Sequence, residues 1–254
     1  MKMIFSCWIN IIAIVAAARN GFLTIPAVAA AAAPIPADFD DRIIIDISRT
    51  MRNGMATFGS VTGARNLTTE IFGGPYMDGI LNIGTHYGTH VDSPSHIFPE
   101  QLLHHVTVDS LNLSTLVGPV LVVQTPNGVN ITGHVIDSLK IPRGVKRVIF
   151  KTQNTYRKLM DQQKFEGNFT GFTVGGAQRL VHKTDVTFVG IDYMSVAVED
   201  QIVGVHKIFL GASRGIIPVE NLKLDEVEPG RYTVYCLPLR VLAEAGPARC
   251  ILVK

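Results

Sequence analysis

The sequence lacks several features that would assign it quickly to a class. Its formal charge is only +2 and it has no long basic or acidic run, so its charge pattern argues against nucleic acid as a partner. It shows no internal repeat and no linker-like stretch after Pro36, which indicates one domain with a sizeable core. Arg19 and Asn20 interrupt the N-terminal apolar stretch, which makes a membrane anchor of about 20 apolar residues a poor interpretation.

That N-terminal stretch is predicted to be a secretory signal peptide, over residues 1–31. Lys2 precedes an apolar run at residues 11–18, and an alanine-rich tract follows, with cleavage expected between Ala27 and Ala33. The predicted domain then covers residues 40–254. An alanine-rich plastid transit peptide is the alternative, although only a few hydroxyl residues and a single arginine are present.

Four N-glycosylation sequons support secretion, at Asn66, Asn112, Asn130 and Asn168. One such tripeptide would mean little, but four beside a signal peptide predict a glycoprotein. The expected location is the extracellular space or extracellular matrix, with no stable membrane anchor.

Cysteine is scarce, since the predicted mature chain contains only Cys236 and Cys250. If the last two strands form a hairpin centred on Ala243, these cysteines lie opposite one another. An oxidising compartment would then allow a disulfide. Two buried thiols in neighbouring strands are the alternative.

Short runs rich in branched residues predict six strands, and three further segments are helical candidates, the first with helix start and stop signals around it. The strands are residues 43–47, 120–123, 147–150, 186–191, 232–236 and 250–253, and the helices are 132–139, 174–182 and 199–210. The glycine-rich stretch between Asn53 and Ile83 predicts a loop. Strands interleaved with few helices indicate an α/β (α+β) domain.

Candidate metal ligands are concentrated in one segment, at His86, His90, Asp92 and His96. Neutral imidazoles and a carboxylate suit a divalent metal such as zinc, with manganese or iron as alternatives. In a straight strand His86 and Asp92 would lie about 20 Å apart, too far for one ion. The backbone must therefore turn between them, and Gly88 supplies the conformational freedom for that turn.

The pattern His-x-Gly-Thr-His-x-Asp-x-Pro-x-His resembles the signature of the cyclase family, which includes bacterial kynurenine formamidases and isatin hydrolases. Segments that resemble the plant cyclase-like branch are residues 150–155, 189–196, 219–225 and 236–240. The resemblance covers roughly residues 42–254. It implies the swivelling β/β/α fold, a homo-oligomer, and metal-dependent hydrolysis of small amides.

The resemblance also assigns residues outside the motif. It implies that His206 and Glu220 complete the metal site, although their spacing is two residues wider than in bacterial members. Without the resemblance, His206 on a helix followed by apolar residues would more often be structural. The family usually has a tryptophan lining the substrate pocket, and the matching position here is Phe58.

The predicted function is therefore that of a metal-dependent amidohydrolase, arylformamidase-like, with one or two Zn²⁺ or Mn²⁺ ions and a small-molecule amide substrate such as N-formylkynurenine or isatin. His86, His90 and Asp92 are predicted to hold the first ion. If two ions bind, His206 and Glu220 complete the second, with Asp92 or Glu220 as the bridge. His96 is the candidate general acid/base. The alternatives are a secreted, catalytically silent metal-binding protein and an iron-dependent oxygenase, since two histidines and a carboxylate also suit that class.

Overall fold

The structure, a computed structural model, describes residues 42–63, 68–73 and 75–254. The predicted signal peptide, the predicted start of the domain at residue 40 and the Asn66 sequon lie outside the described residues and stay predictions. Those described belong to one unit, residues 41–254. No helix in this part of the chain is long and apolar enough to cross a membrane.

Strands dominate the described part of the chain. They are β1 Ile44–Asp46, β2 Thr68–Gly73, β3 Met77–Asn82, β4 His90–Asp92, β5 Val117–Gln124, β6 Arg147–Lys151, β7 Phe188–Ile191, β8 Ile217–Glu220, β9 Gly230–Pro238 and β10 Ala245–Val253. The α-helices are α1 Leu113–Leu116, α2 Gly133–Ser138, α3 Gln153–Tyr156, α4 Val174–Lys183 and α5 Ile202–Leu210. Short 3-10 turns include Pro94–His96 and Glu199–Gln201.

The main sheet closes on itself. Its order is β10-β4-β8-β7-β6-β5-β9, and β9 pairs again with β10, while β1 pairs with the far end of β10. The strands β5 to β8 run parallel, and the remaining pairs in this ring are antiparallel. A mixed barrel-like sheet with few helices confirms the predicted α/β (α+β) class.

Alternation along the strands divides the core between the two faces of this sheet. On β6, Ile149 belongs to one apolar cluster, whereas Val148 and Phe150 belong to another that includes Leu180 of α4 and Phe209 of α5. All five side chains are fully buried, and each such burial stabilises the fold by about 1.5–3 kcal/mol. The helices α4 and α5 therefore cover one face of the sheet, and α5 is anchored there.

Most predicted elements are confirmed, with boundaries shifted by a few residues. The prediction of a loop between Asn53 and Ile83 is wrong in part, because β2 and β3 form an antiparallel hairpin there, from Thr68↔Asn82 to Gly73↔Met77. Its glycines obscured the strand pattern. The strands β4 and β8 were missed because each is short and carries few apolar residues.

The last hairpin has the predicted register. Cys236 of β9 lies opposite Cys250 of β10, and the two are joined in a disulfide. The hairpin is centred on Ala243, as expected. With a sequence separation of 14, such a link stabilises the fold by about 3 kcal/mol in the chain-entropy account.

Candidate metal centre

The centre is built on β4. Val91 points into the apolar cluster on one face, so His90 and Asp92 share the opposite face. Glu220 of β8 is the register partner of His90, and its Oε2 lies 3.4 Å from His90 Nε2. Asp92 Oδ1 lies 3.5 Å from the same nitrogen. Strand pairing therefore brings together three of the predicted ligands.

A tight turn adds His86. Gly88 has a φ of +61°, and a Cβ there would lie 3.1 Å from Met51 Cγ, so a glycine suits both the conformation and the space. The turn places His86 Nδ1 3.3 Å from Asp92 Oδ1. The predicted backbone turn is confirmed.

The helix α5 supplies His206. Its Val205 and Phe209 pack into the apolar cluster under the helices, and this packing orients the helix over β8. His206 Nε2 lies 3.3 Å from Glu220 Oε1 and 3.6 Å from Asp92 Oδ2. His206 is only 2% exposed. The wider spacing in sequence does not keep His206 from this cluster.

Two of the histidines have their protonation pattern set by backbone carbonyls. His90 Nδ1 lies 2.9 Å from the carbonyl oxygen of Gly88, and His206 Nδ1 lies 2.9 Å from that of Ile202. A carbonyl can only accept, so each Nδ1 carries the proton. In the neutral form of each ring, Nε2 is then the free nitrogen, directed at the carboxylates.

Opposite charges shift the pKa values in this cluster. Burial lowers the pKa of His90, but Glu220 and Asp92 outweigh that effect and raise it to about 9. Burial likewise lowers the pKa of His206, while Asp92 and Glu220 raise it to about 10. Burial raises the pKa of Asp92, yet the adjacent His206 and His86 rings hold it well below its usual value. The pKa of Glu220, raised by burial and by Asp92, is lowered overall by His206 and His90.

Several of these atoms have no hydrogen-bond partner. Asp92 Oδ1, Asp92 Oδ2 and His90 Nε2 are buried without one among the described residues, which is costly unless something else pairs with them. These atoms lie 3.3–3.6 Å from the neighbouring imidazole nitrogens and carboxylate oxygens. Such separations match the distances between ligand atoms around a tetrahedral metal ion with bonds of about 2.0–2.2 Å. The residues therefore fit a divalent metal. Two groups of possible ligands, His86–Asp92–His96 and His90–Asp92–Glu220, have their ligand atoms within 4.8 Å of one another and share Asp92. This grouping differs from the predicted one, in which His86 and His90 hold the same ion, and it brings His96 within reach of an ion at Asp92.

His96 lies beside the cluster at the end of the turn Pro94–His96. Its ring centroid is 4.4 Å from that of His86 and 5.4 Å from that of His206. Burial lowers the pKa of His96, so the ring is neutral at pH 7 and can accept a proton.

Phe58 is placed differently. It is 48% exposed, and its ring lies 4.6 Å from that of Phe165. No ring contact joins it to the histidines within the described part of the chain. Its role in the substrate pocket stays a prediction.

Sequence reasoning missed Glu244, which precedes β10 in the last hairpin. Its Oε1 lies 3.3 Å from His86 Nε2 and accepts a hydrogen bond of 2.8 Å from the Thr85 hydroxyl. A lone acidic residue in a hairpin loop gives no ligand-like spacing. Only the pairing of β10 with β4 brings it to the centre.

Known proteins are similar to this chain in sequence. The Cyclase family model matches residues 45–198. The chain is 44% identical over 218 residues to cyclase-like protein 2 of Oryza sativa subsp. japonica, covering 84% of this chain and 80% of that protein. It is 27% identical over 216 residues to a kynurenine formamidase of Bacillus cytotoxicus, covering 82% of this chain and 96% of the relative.

Solved structures of other proteins have a similar fold. A potential metal-dependent hydrolase with cyclase activity matches with a TM-score of 0.68 and 26% identity, covering 84% of this chain and 98% of that one. An isatin hydrolase bound to a product analogue has the same fold, with a TM-score of 0.67, 16% identity, and coverage of 84% and 93%. The expected kynurenine formamidase/cyclase fold is confirmed. Sequence, fold and the motif from His86 to His96 together show that this chain belongs to the Cyclase family.

Proposed function

We propose that this protein is a metal-dependent hydrolase of small amides, arylformamidase-like, acting on N-formylkynurenine or on a related cyclic amide such as isatin. The observation that carries the proposal is the set of buried, unpartnered atoms of Asp92 and His90, which face one another at metal-ligand spacing. Relatives named kynurenine formamidase and metal-dependent hydrolase support it.

The ion is proposed to be Zn²⁺ or Mn²⁺, with one or two bound. A bound divalent ion would lower the pKa of its water to near neutrality and would polarise the substrate carbonyl. His86, His90, Asp92, His206 and Glu220 are the residues that would hold it. Glu220 is itself held in place, because its Oε1 accepts a hydrogen bond of 2.7 Å from the backbone N–H of Val196.

His96 is proposed to move the proton. Its neutral ring lies against His86 and His206 and makes no side-chain hydrogen bond among the described residues, so a ring nitrogen is free to take a proton. From there the imidazolium can protonate the leaving nitrogen of the amide.

Exposure defines the direction from which substrate arrives. His90, Asp92, Glu220 and His206 are at most 3% exposed, whereas the side chain of His86 is 34% exposed. Substrate would therefore approach on the side of His86. We propose that Phe58 offers an apolar wall to an aromatic substrate.

We also propose that the mature protein is a secreted, N-glycosylated homo-oligomer of the extracellular space or matrix, without a membrane anchor or nucleic-acid partner. The described sequon asparagines support this, since Asn112, Asn130 and Asn168 are all exposed. Glycan release followed by a mass shift of the secreted protein tests the modification, and light scattering tests the assembly.

The decisive experiment is hydrolysis of N-formylkynurenine by the purified, secreted protein supplied with zinc or manganese. Wild type should release kynurenine. His96→Ala should keep its metal and lose about 10²–10⁴-fold in rate, the usual contribution of general acid–base catalysis. The matched control His104→Ala, an exposed histidine in the turn Pro99–His104, should be unchanged.

The other outcomes discriminate the alternatives. No turnover of any formamide or lactam with metal bound stoichiometrically would favour a catalytically silent metal-binding protein. Oxygen consumption with ferrous iron would favour an oxygenase. The absence of both turnover and metal binding would refute the proposed hydrolase.

A further inference from the structure

The loop between β9 and β10 reaches the metal centre through one residue. Glu244 directly precedes Ala245, which is the register partner of Asp92 in the β10–β4 pair. The backbone carbonyl of Glu244 accepts hydrogen bonds of 2.8 Å from both the N–H and the hydroxyl of Ser93. The position of Glu244 relative to β4 is therefore fixed by the backbone.

Its side chain extends to the other end of the motif. Glu244 Oε1 accepts the Thr85 hydroxyl at 2.8 Å and lies 3.3 Å from His86 Nε2. One residue thus contacts both the segment before Gly88 and the segment after Asp92. The Thr85 hydrogen bond orients the carboxylate toward the imidazole.

His86 differs from the other two histidines in what it faces. Backbone carbonyls accept from the Nδ1–H groups of His90 and His206. For His86, carboxylate oxygens lie 3.3 Å from both ring nitrogens, Glu244 Oε1 from Nε2 and Asp92 Oδ1 from Nδ1. With Asp92 taken as a ligand of the ion, the Glu244 carboxylate remains as the acceptor for His86. The proton of the neutral ring then resides on Nε2, and Nδ1 is left free beside Asp92 Oδ1.

We infer that Glu244 is a positioning residue of the metal centre, which holds His86 in the tautomer and orientation that present Nδ1 to the ion. The inference rests on the proposed function only in taking His86 and Asp92 as ligands. A carboxylate behind a metal-binding histidine fixes the ring and makes it a better ligand, and its loss typically weakens metal affinity by about 10–100-fold.

The test compares Glu244→Ala and Glu244→Gln with wild type in the secreted protein after removal of metal by a chelator. Zinc affinity is measured by competition with a chromophoric chelator, and the cobalt-substituted protein is examined by visible absorption. E244A should bind zinc about 10–100-fold more weakly and show an altered cobalt spectrum. E244Q should lose less, because its amide oxygen still accepts a hydrogen bond. Glu226→Ala, an exposed residue outside the centre, controls for loss of one negative charge.

A cobalt spectrum reports ligand geometry, which a purely structural role of Glu244 would leave unchanged. If both Glu244 variants match wild type in zinc affinity and spectrum while wild type binds metal, this inference is wrong and the proposed function stands. If wild type binds no metal, both are refuted. Should E244A fail to fold, the nearly isosteric E244Q decides, since an unchanged affinity and spectrum would overturn the inference.

Discussion

Two buried aspartates, Asp92 and Asp192, have opposite hydrogen-bonding environments. Both are 0% exposed. Asp192, just after β7, accepts hydrogen bonds from the backbone N–H and hydroxyl groups of both Thr152 and Thr155, at 2.7–3.2 Å. Asp92 has no hydrogen-bond partner on either oxygen within the described residues.

Hydrogen bonding, and not burial, distinguishes the structural aspartate from the candidate metal ligand. Asp192 is saturated by donors from the N-terminal turn of α3, so capping and packing explain it. Asp92 is surrounded by His86, His90 and His206 at 3.3–3.6 Å, and its lone pairs are left for another partner. Unsatisfied rather than merely buried carboxylates mark the candidate site.

The same substitution at the two aspartates should separate these roles most strongly. Asp92→Asn removes the charge shared by both ligand groups, so metal affinity should fall by more than about 100-fold, beyond the usual range of changes outside the ligand shell. Hydrolysis should be lost with it. Metal content by mass spectrometry and kynurenine release check this, and a variant that retains both would contradict the metal centre.

Asp192→Asn should behave in the opposite way. Its amide nitrogen cannot accept hydrogen bonds, so a buried donor of Thr152 or Thr155 loses its partner, and the free energy of unfolding should fall by about 1–3 kcal/mol. Metal stoichiometry should be unchanged. Urea denaturation of the zinc-loaded variant measures the loss, and loss of metal instead would place Asp192 in the site.

Removal of the metal should make the stability of the fold depend on pH in the alkaline range. The pKa values of His90 and His206 are raised from 6.5 to about 9 and about 10 by the carboxylates, which outweigh burial. This stabilisation is therefore fully present below pH 6.5 and is lost as pH rises through 9 to 10. Melting temperature in a chelator between pH 6.5 and 10.5 should fall more steeply for wild type than for His206→Gln. Equal slopes would show that these charges do not stabilise the fold.

The smallest effect is expected at Phe58, which resemblance rather than geometry assigns to the substrate pocket. Phe58→Ala should raise KM about fivefold, equivalent to about 1 kcal/mol of aromatic contact, with kcat little changed. Phe58→Trp should preserve or lower KM. Steady-state kinetics on N-formylkynurenine decide, and an unchanged KM for the alanine variant would remove Phe58 from the pocket.

The predictability of the elements followed their length. The helix over residues 174–182 and the strands around Val120 and Tyr232 have clear apolar periodicity and were found where expected. The glycines of the β2–β3 hairpin predict a loop, and β8 has no clear strand pattern because its four residues include Pro218 and Glu220. Local pattern is weak in short strands, whose formation depends on neighbours far away in sequence.

The features of the site also differ in whether they depend on nearby or on distant residues. The motif from His86 to His96, its turn at Gly88 and the opposition of Cys236 to Cys250 could be predicted because they depend on neighbouring residues or on one hairpin. The pairing of His90 with Glu220, the reach of His206 and the approach of Glu244 depend on closure of the barrel. These residues are more than 100 positions from the motif, and local sequence carries no record of such register. It is set by the packing of both apolar cores, because only the closed sheet buries them together.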